Sequence, residues 1–334
     1  MKNSFITSVL AVVVSLSVNS SAAELKTPVD GSSMCGPGYG SCPDSCCSEF
    51  GRCGTSADYC GGSQCQLEYS HTCETFLRHD AKAVDSIPRV GPGGSDTSHI
   101  PRPRVGNVAY GPLISSCKEP GMVALTFDDG PYDFTSDLLD ILDKANAKAT
   151  FFITGSNYGR GHIDSVTGRW PGILRRMHRA GHHISSHTWT HRNLDQISDA
   201  ARHAEIYNNE MALRNIFGWI PTYFRPPFLD CGAGSACQGA LEAAGYHSIS
   251  TNLDSKDFMY DDPALIQQSK DRIASGLSSD AGTNSYIILC HDVHEQTVYN
   301  LTSFVVNLAR ERGYRLVTVG ECLGDPRENW YRPA

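Results

Sequence analysis

The chain has 334 residues, of which 40% are hydrophobic and 19% charged, and a formal net charge of −8 at pH 7. That is the composition of a globular protein with room for one large domain and a small one. No basic stripe or Lys/Arg block is present, which argues against nucleic acid and an anionic membrane surface as partners.

In chain order, Lys2 precedes an apolar run at residues 9–16 and the small residues Ser20-Ser21-Ala22-Ala23. This reads as a secretory signal peptide over residues 1–23. The run is too short and too Ser-rich for a membrane span. The C-terminal end, Asp325-Pro326-Arg327-Glu328-Asn329-Trp330, is polar and carries no lipid-anchor signal. The expectation is a secreted protein, extracellular or in the cell wall. Thirteen cysteines agree with an oxidising compartment.

Cys35, Cys42, Cys46, Cys47, Cys53, Cys60, Cys65 and Cys73 crowd into a Gly- and Ser-rich stretch with no helical or strand period. So few apolar residues cannot build a core, so cross-links must replace one, and a module is expected at 32–74. Spacing does not select the pairing. The adjacent Cys46-Cys47 fits zinc-ligand spacing poorly. Through Cys46-Cys47-Ser48, Phe50-Gly51, Cys53-Gly54 and Tyr59-Cys60, the stretch resembles the hevein-like chitin-binding family. The resemblance implies the pairs Cys35–Cys47, Cys42–Cys53, Cys46–Cys60 and Cys65–Cys73. It also implies a sugar site at Ser48, Phe50, Arg52 and Tyr59, with Arg52 where the family commonly has an aromatic. Flat rings suit N-acetylglucosamine because they offer apolar area to the sugar face. Residues 75–113, with Pro88, Pro92, Pro101, Pro103, Pro112 and Gly91-Pro92-Gly93-Gly94-Ser95, read as a linker whose last part can pack on the next domain.

A large domain is expected at 114–325. Short apolar runs at 123–127, 149–154, 183–185, 222–224, 246–250, 286–289 and 316–319 predict strands. Helical patterns at 135–145, 170–180, 195–217, 238–244, 263–277 and 298–312 lie between them, and Gly181, Gly218, Gly245 and Gly313 follow four of these. The alternation predicts an α/β fold with a parallel sheet, barrel-like or open. Polar residues follow the strands: Asp128-Asp129, His187 with His191, Arg225, Asp254 with Asp257, and His291. Parallel strands share one carboxyl-end face, so these side chains can converge.

A strand-end acid pair such as Asp128-Asp129 is by itself more often a solvated turn or a helix cap than a catalytic pair. His187 and His191 are spaced His-x3-His, which on a helical turn places both rings on one side. Two His plus Asp129 form a three-ligand set that leaves a coordination position open. Asp128 is then free to act as a base, with Arg225 to orient it. His291 could act as an acid, its tautomer fixed by Asp257. His182 and His183 are expected to pack, and His178 to lie on an exposed helix face.

Five fragments in order resemble the polysaccharide deacetylase family, also called NodB-like or carbohydrate esterase family four. They are Thr126-Phe127-Asp128-Asp129-Gly130, His187-Thr188-x-x-His191, Arg225-Pro226-Pro227-Phe228, Asp254-x-x-Asp257-Phe258 and Ile288-Leu289-Cys290-His291. The resemblance implies a distorted (β/α) barrel. It assigns Asp128 as general base, and Asp129, His187 and His191 as ligands of Zn2+, with Co2+ or another divalent ion as alternatives. Arg225 would orient Asp128, the Phe228 N–H would hold the oxyanion, and Asp257 would tune His291 as general acid. Phe228 replaces a frequent Tyr, and Phe258 a frequent Trp on the pocket wall. The implied activity is hydrolysis of N-acetyl groups in chitin or chitin oligosaccharides to chitosan and acetate, by a monomer. Acetylxylan, peptidoglycan and a non-catalytic chitin-binding role are the alternatives. Cys117–Cys322 and Cys231–Cys237 are expected disulfides, Cys290 a buried free thiol, and Asn300 in Asn300-Leu301-Thr302 a glycosylation acceptor.

Overall fold

The computed structural model describes residues 34, 35, 39, 42, 45–48, 51–55, 59, 96–158 and 160–334. The expected signal peptide and linker residues 75–95 lie outside the described residues. Two short strands, β1 (Cys46–Cys47) and β2 (Cys53–Gly54), pair antiparallel in the cysteine-rich segment. Disulfides Cys35–Cys47 and Cys42–Cys53 cross-link that segment. Cys60, Cys65 and Cys73 lie outside the described residues, and with them the two remaining expected pairs.

The large domain alternates strand and helix. β3 (Met122–Asp128), α1 (Thr135–Lys144), β4 (Thr150–Ile153), α2 (Trp170–Arg179), β5 (His183–Ser186) and α3 (Asp199–Phe217) come first. They are followed by β6 (Trp219–Pro221), β7 (Tyr223–Phe224), α4 (Ala236–Ala243), β8 (His247–Ser248), β9 (Leu253–Asp254) and α5 (Ile266–Gly276). The chain closes with β10 (Tyr286–His291), α6 (Thr302–Glu311), β11 (Arg315–Val317), α7 (Val319–Cys322) and β12 (Tyr331–Pro333). The main sheet runs β8-β7-β5-β4-β3-β10-β9, with β11 also on β3, and every pairing in it is parallel. β11 pairs with Met122–Ala124 and β4 with Thr126–Asp128, so the two share one edge of β3 and the sheet curls. This is the distorted (β/α) barrel.

The alternation of β3 explains how the site is aimed. Val123, Leu125 and Phe127 join the core beneath the helices with Leu138, Leu142, Ile288 and Val305. Met122 and Ala124 face the other way, with Phe152, Tyr223 and Ile287. Side chains alternate along a strand, so Thr126 and Asp128 share that inner face. A strand buried on both faces reads as an apolar run, which is why β3 was visible in the sequence.

Helix ends follow the expected chemistry. Ser198 caps α3 by accepting from Ala201 N–H, and Gly218 ends it at φ 78 with its N–H on Arg214 O.

Contacts of the large domain extend beyond residues 114–325 at both ends. Before residue 114, Arg102 forms a two-pronged ion pair with buried Glu210, at 2.6 and 2.7 Å, and Thr97 donates to the same carboxylate at 2.8 Å. The last part of the expected linker therefore packs on the domain, because buried Glu210 on α3 anchors Thr97 and Arg102. After residue 325, Trp330 is 2% exposed, stacks on His183 at 4.4 Å and is followed by β12, which pairs antiparallel with β6. Polar residues around Trp330 hid this ending in the sequence. The disulfide Cys117–Cys322 ties the segment before β3 to α7, and Cys231–Cys237 clips the loop before α4. Cys290 is a buried free thiol. His182 and His183 are fully buried, but His178 is partly buried against Phe217, Trp219 and Tyr331 rather than exposed.

Candidate active site

Asp128 ends β3, in register with His291 at the end of β10. Arg225, just after β7, is fully buried. Its Nη1 donates to Asp128 Oδ1 at 2.8 Å and to Thr126 Oγ1 at 2.6 Å, and its Nη2 to Ser250 O at 3.0 Å. The guanidinium also lies over the Phe152 ring at 4.1 Å. Burial lowers its pKa, opposed by the charge of Asp128. A buried guanidinium with this many fixed partners orients the carboxylate rigidly.

Asp129 adopts φ 75, a left-handed conformation that is costly for a residue with a Cβ. That turn points its carboxylate at two imidazoles. Asp129 Oδ1 lies 3.6 Å from His187 Nε2 and 3.3 Å from His191 Nε2. Ligand atoms about 2.1 Å from a tetrahedral zinc stand roughly 3.4 Å apart, so the three atoms fit one ion. Asp129 Oδ1 is buried and has no hydrogen-bond donor, which is costly unless a cation satisfies it. His187 Nδ1–H donates to Arg225 O at 2.6 Å, which leaves its Nε2 lone pair facing the cluster. Burial lowers the His187 pKa to about 4, so the ring is neutral as a ligand must be. Asp129 is lowered to about 2: burial raises it, but His191, His187, His291 and Arg160 outweigh burial. The donor set of two imidazoles and one carboxylate suits zinc and related divalent ions.

The expected helical turn at His187–His191 is not formed. Thr188 and His191 have φ 71 and 62, and the segment is an irregular loop. Two left-handed residues swing the rings together, and Thr188 Oγ1 accepts from His191 N–H at 2.9 Å to hold the turn.

Asp257 and His291 form the second pair. His291 Nδ1–H donates to Asp257 Oδ1 at 2.7 Å, while the His291 N–H and the Thr297 hydroxyl each reach Oδ2 at 2.7 Å. Burial pushes His291 down, but the charge and hydrogen bond of Asp257, with Asp129 and Asp128, raise it to about 10. A divalent cation held by Asp129 would oppose that rise. Phe228 has φ 61 and its ring lies 4.9 Å from His191, and Phe258 lies 5.6 Å from His291. Both rings are about half exposed, as walls of an open cleft are.

Two residues escaped the sequence reading. Arg160, in the loop after β4, donates to the backbone carbonyls of Asp129 at 2.8 Å, Gly130 at 3.2 Å, and Thr154. Nothing in a loop without period announces such a clamp. Asp292 is fully buried, accepts from Thr135 Oγ1 at 2.5 Å, and is raised to about 7 by burial, against Thr135 and Arg160. Its position directly after His291 at a strand end was the available signal. Gly130 has no side chain because a Cβ there would stand 2.2 Å from Asp292 Oδ2.

In the cysteine-rich segment, Ser48 is buried and its Oγ accepts from Arg52 N–H at 3.3 Å. The Tyr59 ring packs on Gly54, where a Cβ would come within 2.5 Å of it, and Phe50 lies outside the described residues. Asn300 is exposed and its amide donates to Gln296 Oε1 at 2.7 Å.

Comparison with known proteins accords with this geometry. The polysaccharide deacetylase family model matches residues 115–249. A chitin deacetylase of Colletotrichum lindemuthianum is 46% identical over 240 residues, which is 72% of this chain and 93% of that protein. A chitin deacetylase of Pestalotiopsis sp is 40% identical over 72% of this chain and 76% of that one. The solved structure of the Colletotrichum lindemuthianum chitin deacetylase aligns at TM-score 0.65 and 47% identity, covering 68% of this chain and 98% of that chain.

Proposed function

We propose, from the premise that this chain belongs to the polysaccharide deacetylase family, that it hydrolyses the N-acetyl groups of N-acetylglucosamine residues in chitin, giving chitosan and acetate. The supporting observation is the Asp129–His187–His191 cluster with Asp128 held beside it by Arg225. Zinc is the proposed ion, held by those three residues. When bound, such an ion supplies a Lewis acid that polarises the acetyl carbonyl and makes water acidic enough to attack near neutral pH.

The protein's own groups do the rest. Asp128, fixed by Arg225 on Oδ1, takes the proton of the attacking water. The backbone N–H of Phe228 donates to the developing oxyanion. An amine leaves poorly unless protonated, and His291, held through Nδ1 by Asp257, delivers that proton from Nε2. The cysteine-rich segment is proposed as a hevein-like chitin-binding module that keeps a secreted enzyme on its polymer. Cys46–Cys60 and Cys65–Cys73 complete its cross-links, and Asn300 carries a glycan.

Acetate release from chitin oligomers, with and without a chelator, tests the reading. Release that stops with chelator and returns with zinc is expected. Release from acetylated xylan or peptidoglycan, and none from chitin oligomers, would reassign the substrate.

A further inference from the structure

Helix α3 buries polar side chains where a helix over a core would bury apolar ones. Glu205, Asn209 and Glu210 are all fully buried. Two of the three have plain structural work. Asn209 donates to Ile153 O and to Ser186 Oγ, both at 2.8 Å, which ties the ends of β4 and β5 to the helix. Glu210 receives Thr97, Arg102 and the Tyr246 hydroxyl, which fastens the chain ahead of the sheet. Glu205 points elsewhere, into the loop that carries His187 and His191. Its Oε2 accepts from Thr190 N–H at 2.8 Å, and its Oε1 accepts from the Thr190 hydroxyl. The Thr188 hydroxyl bonds to the same carboxylate, and its oxygen accepts from His191 N–H at 2.9 Å.

Packing gives no reason for an acid at this position. Burying a carboxylate is costly, and burial pushes the Glu205 carboxyl up, against Thr190, Arg192 and Thr188. Ile206, Leu213 and Ile216 on the same helix already supply apolar core. The loop, by contrast, needs restraint. Thr188 is β-branched and has φ 71, a backbone conformation that such residues avoid. The carbonyls of Thr188 and Trp189 accept from the N–H groups of Gly155 and Ser156, at 3.1 and 2.6 Å, which holds the loop on its β4 side. Glu205 holds it on the α3 side.

We infer that Glu205 is a positioning residue for the metal-ligand pair: it fixes the loop between His187 and His191 in the shape that turns both rings toward Asp129. The chain of contacts is short. A hydroxyl donates once and accepts through its lone pairs, so the Thr188 O–H spent on Glu205 leaves its oxygen aimed at the His191 N–H. The backbone of one ligand therefore hangs on Glu205 through a single side chain. Thr190, next to that ligand, is held by the same carboxylate at both its N–H and its hydroxyl. The inference rests on the cluster being a metal site.

The test is the zinc affinity of the metal-free protein, read by competition against a chelating dye, with the visible spectrum of the Co2+-loaded protein as a second readout. The variants are Glu205→Leu, Glu205→Gln, Thr190→Val and, as a control, Glu210→Gln. Glu205→Leu fills similar space but accepts no hydrogen bond, and should lose about 10- to 100-fold in zinc affinity with shifted Co2+ bands. Thr190→Val removes one of the contacts and should lose affinity in the same direction. Glu205→Gln accepts from Thr190 N–H and donates to the Thr190 hydroxyl, so it should recover most of the loss. Glu210→Gln should lower thermal stability and leave zinc affinity and the Co2+ spectrum unchanged. Wild-type affinity in Glu205→Leu, or in Thr190→Val should Glu205→Leu fail to fold, would overturn the positioning role. So would a loss in Glu210→Gln as large as in Glu205→Leu. A wild type that binds neither ion would instead refute the metal site on which the role depends.

Discussion

Asp129 stays in a strained conformation only because its surroundings over-determine it, and Arg160 is the main restraint. Its guanidinium gathers the carbonyls of Asp129, Gly130 and Thr154, fixing the backbone on both sides of the ligand. Arg160→Met is therefore expected to weaken zinc binding about 10- to 100-fold, the usual effect of removing an outer partner of a ligand. Arg160→Lys should recover part of the loss. Competition against a chelating dye reads this, and wild-type affinity in Arg160→Met would contradict it. The Asp257–His291 pair gives a pH prediction. The folded pKa of His291 is raised, so in metal-free protein the pair stabilises fully below about pH 6.5 and its contribution fades as pH rises through about 10. In the metal-loaded enzyme, kcat should fall on the alkaline side as His291 loses its proton. Asp257→Asn removes the charge that raises this pKa, so that alkaline limb should move at least about one unit toward acid. A pH–rate profile with an unmoved limb would separate Asp257 from proton transfer.

At the scale of elements, much of the fold was legible. β3 and β10 are buried apolar runs that end in their functional residues, Asp128 and His291, so they could be read directly. β9 was not, because Leu253–Asp254 is two half-buried residues whose strand character comes from pairing with β10. The antiparallel β6–β12 ribbon was hidden for a similar reason: its partners lie more than a hundred residues apart. The helix expected from residue 298 begins as a π turn, Thr297–Leu301, where the Thr297 hydroxyl is committed to Asp257. The five motifs gave the residue types of the site, but not the left-handed turns that aim Asp129 and His191, since dihedral strain leaves no mark in composition. The disulfide Cys117–Cys322 spans 205 residues of sequence. Closing so long a loop removes roughly 5 kcal/mol of unfolded-state freedom in the chain-entropy account. The double variant Cys117→Ser/Cys322→Ser should lose stability of that order, read as a drop in urea midpoint. An unchanged midpoint would show that the remaining contacts of α7 and Trp330 suffice.

For the whole molecule, one curled parallel sheet explains why residues distant in sequence meet. Asp128 and Asp129 leave β3, His187 and His191 leave β5, Arg225 leaves β7 and His291 leaves β10, all at the same edge of the barrel. The fold thus converts sequence order into one cluster, and within it the two adjacent carboxylates are placed differently: Asp129 is turned to the imidazoles and Asp128 is clamped by Arg225. The most direct test is a zinc titration of metal-free wild type, Asp128→Asn and Asp129→Asn by calorimetry. Asp128→Asn should bind one zinc with affinity within about threefold of wild type, whereas Asp129→Asn should lose at least about 100-fold. Equal loss in the two variants would contradict the division of labour between the two carboxylates.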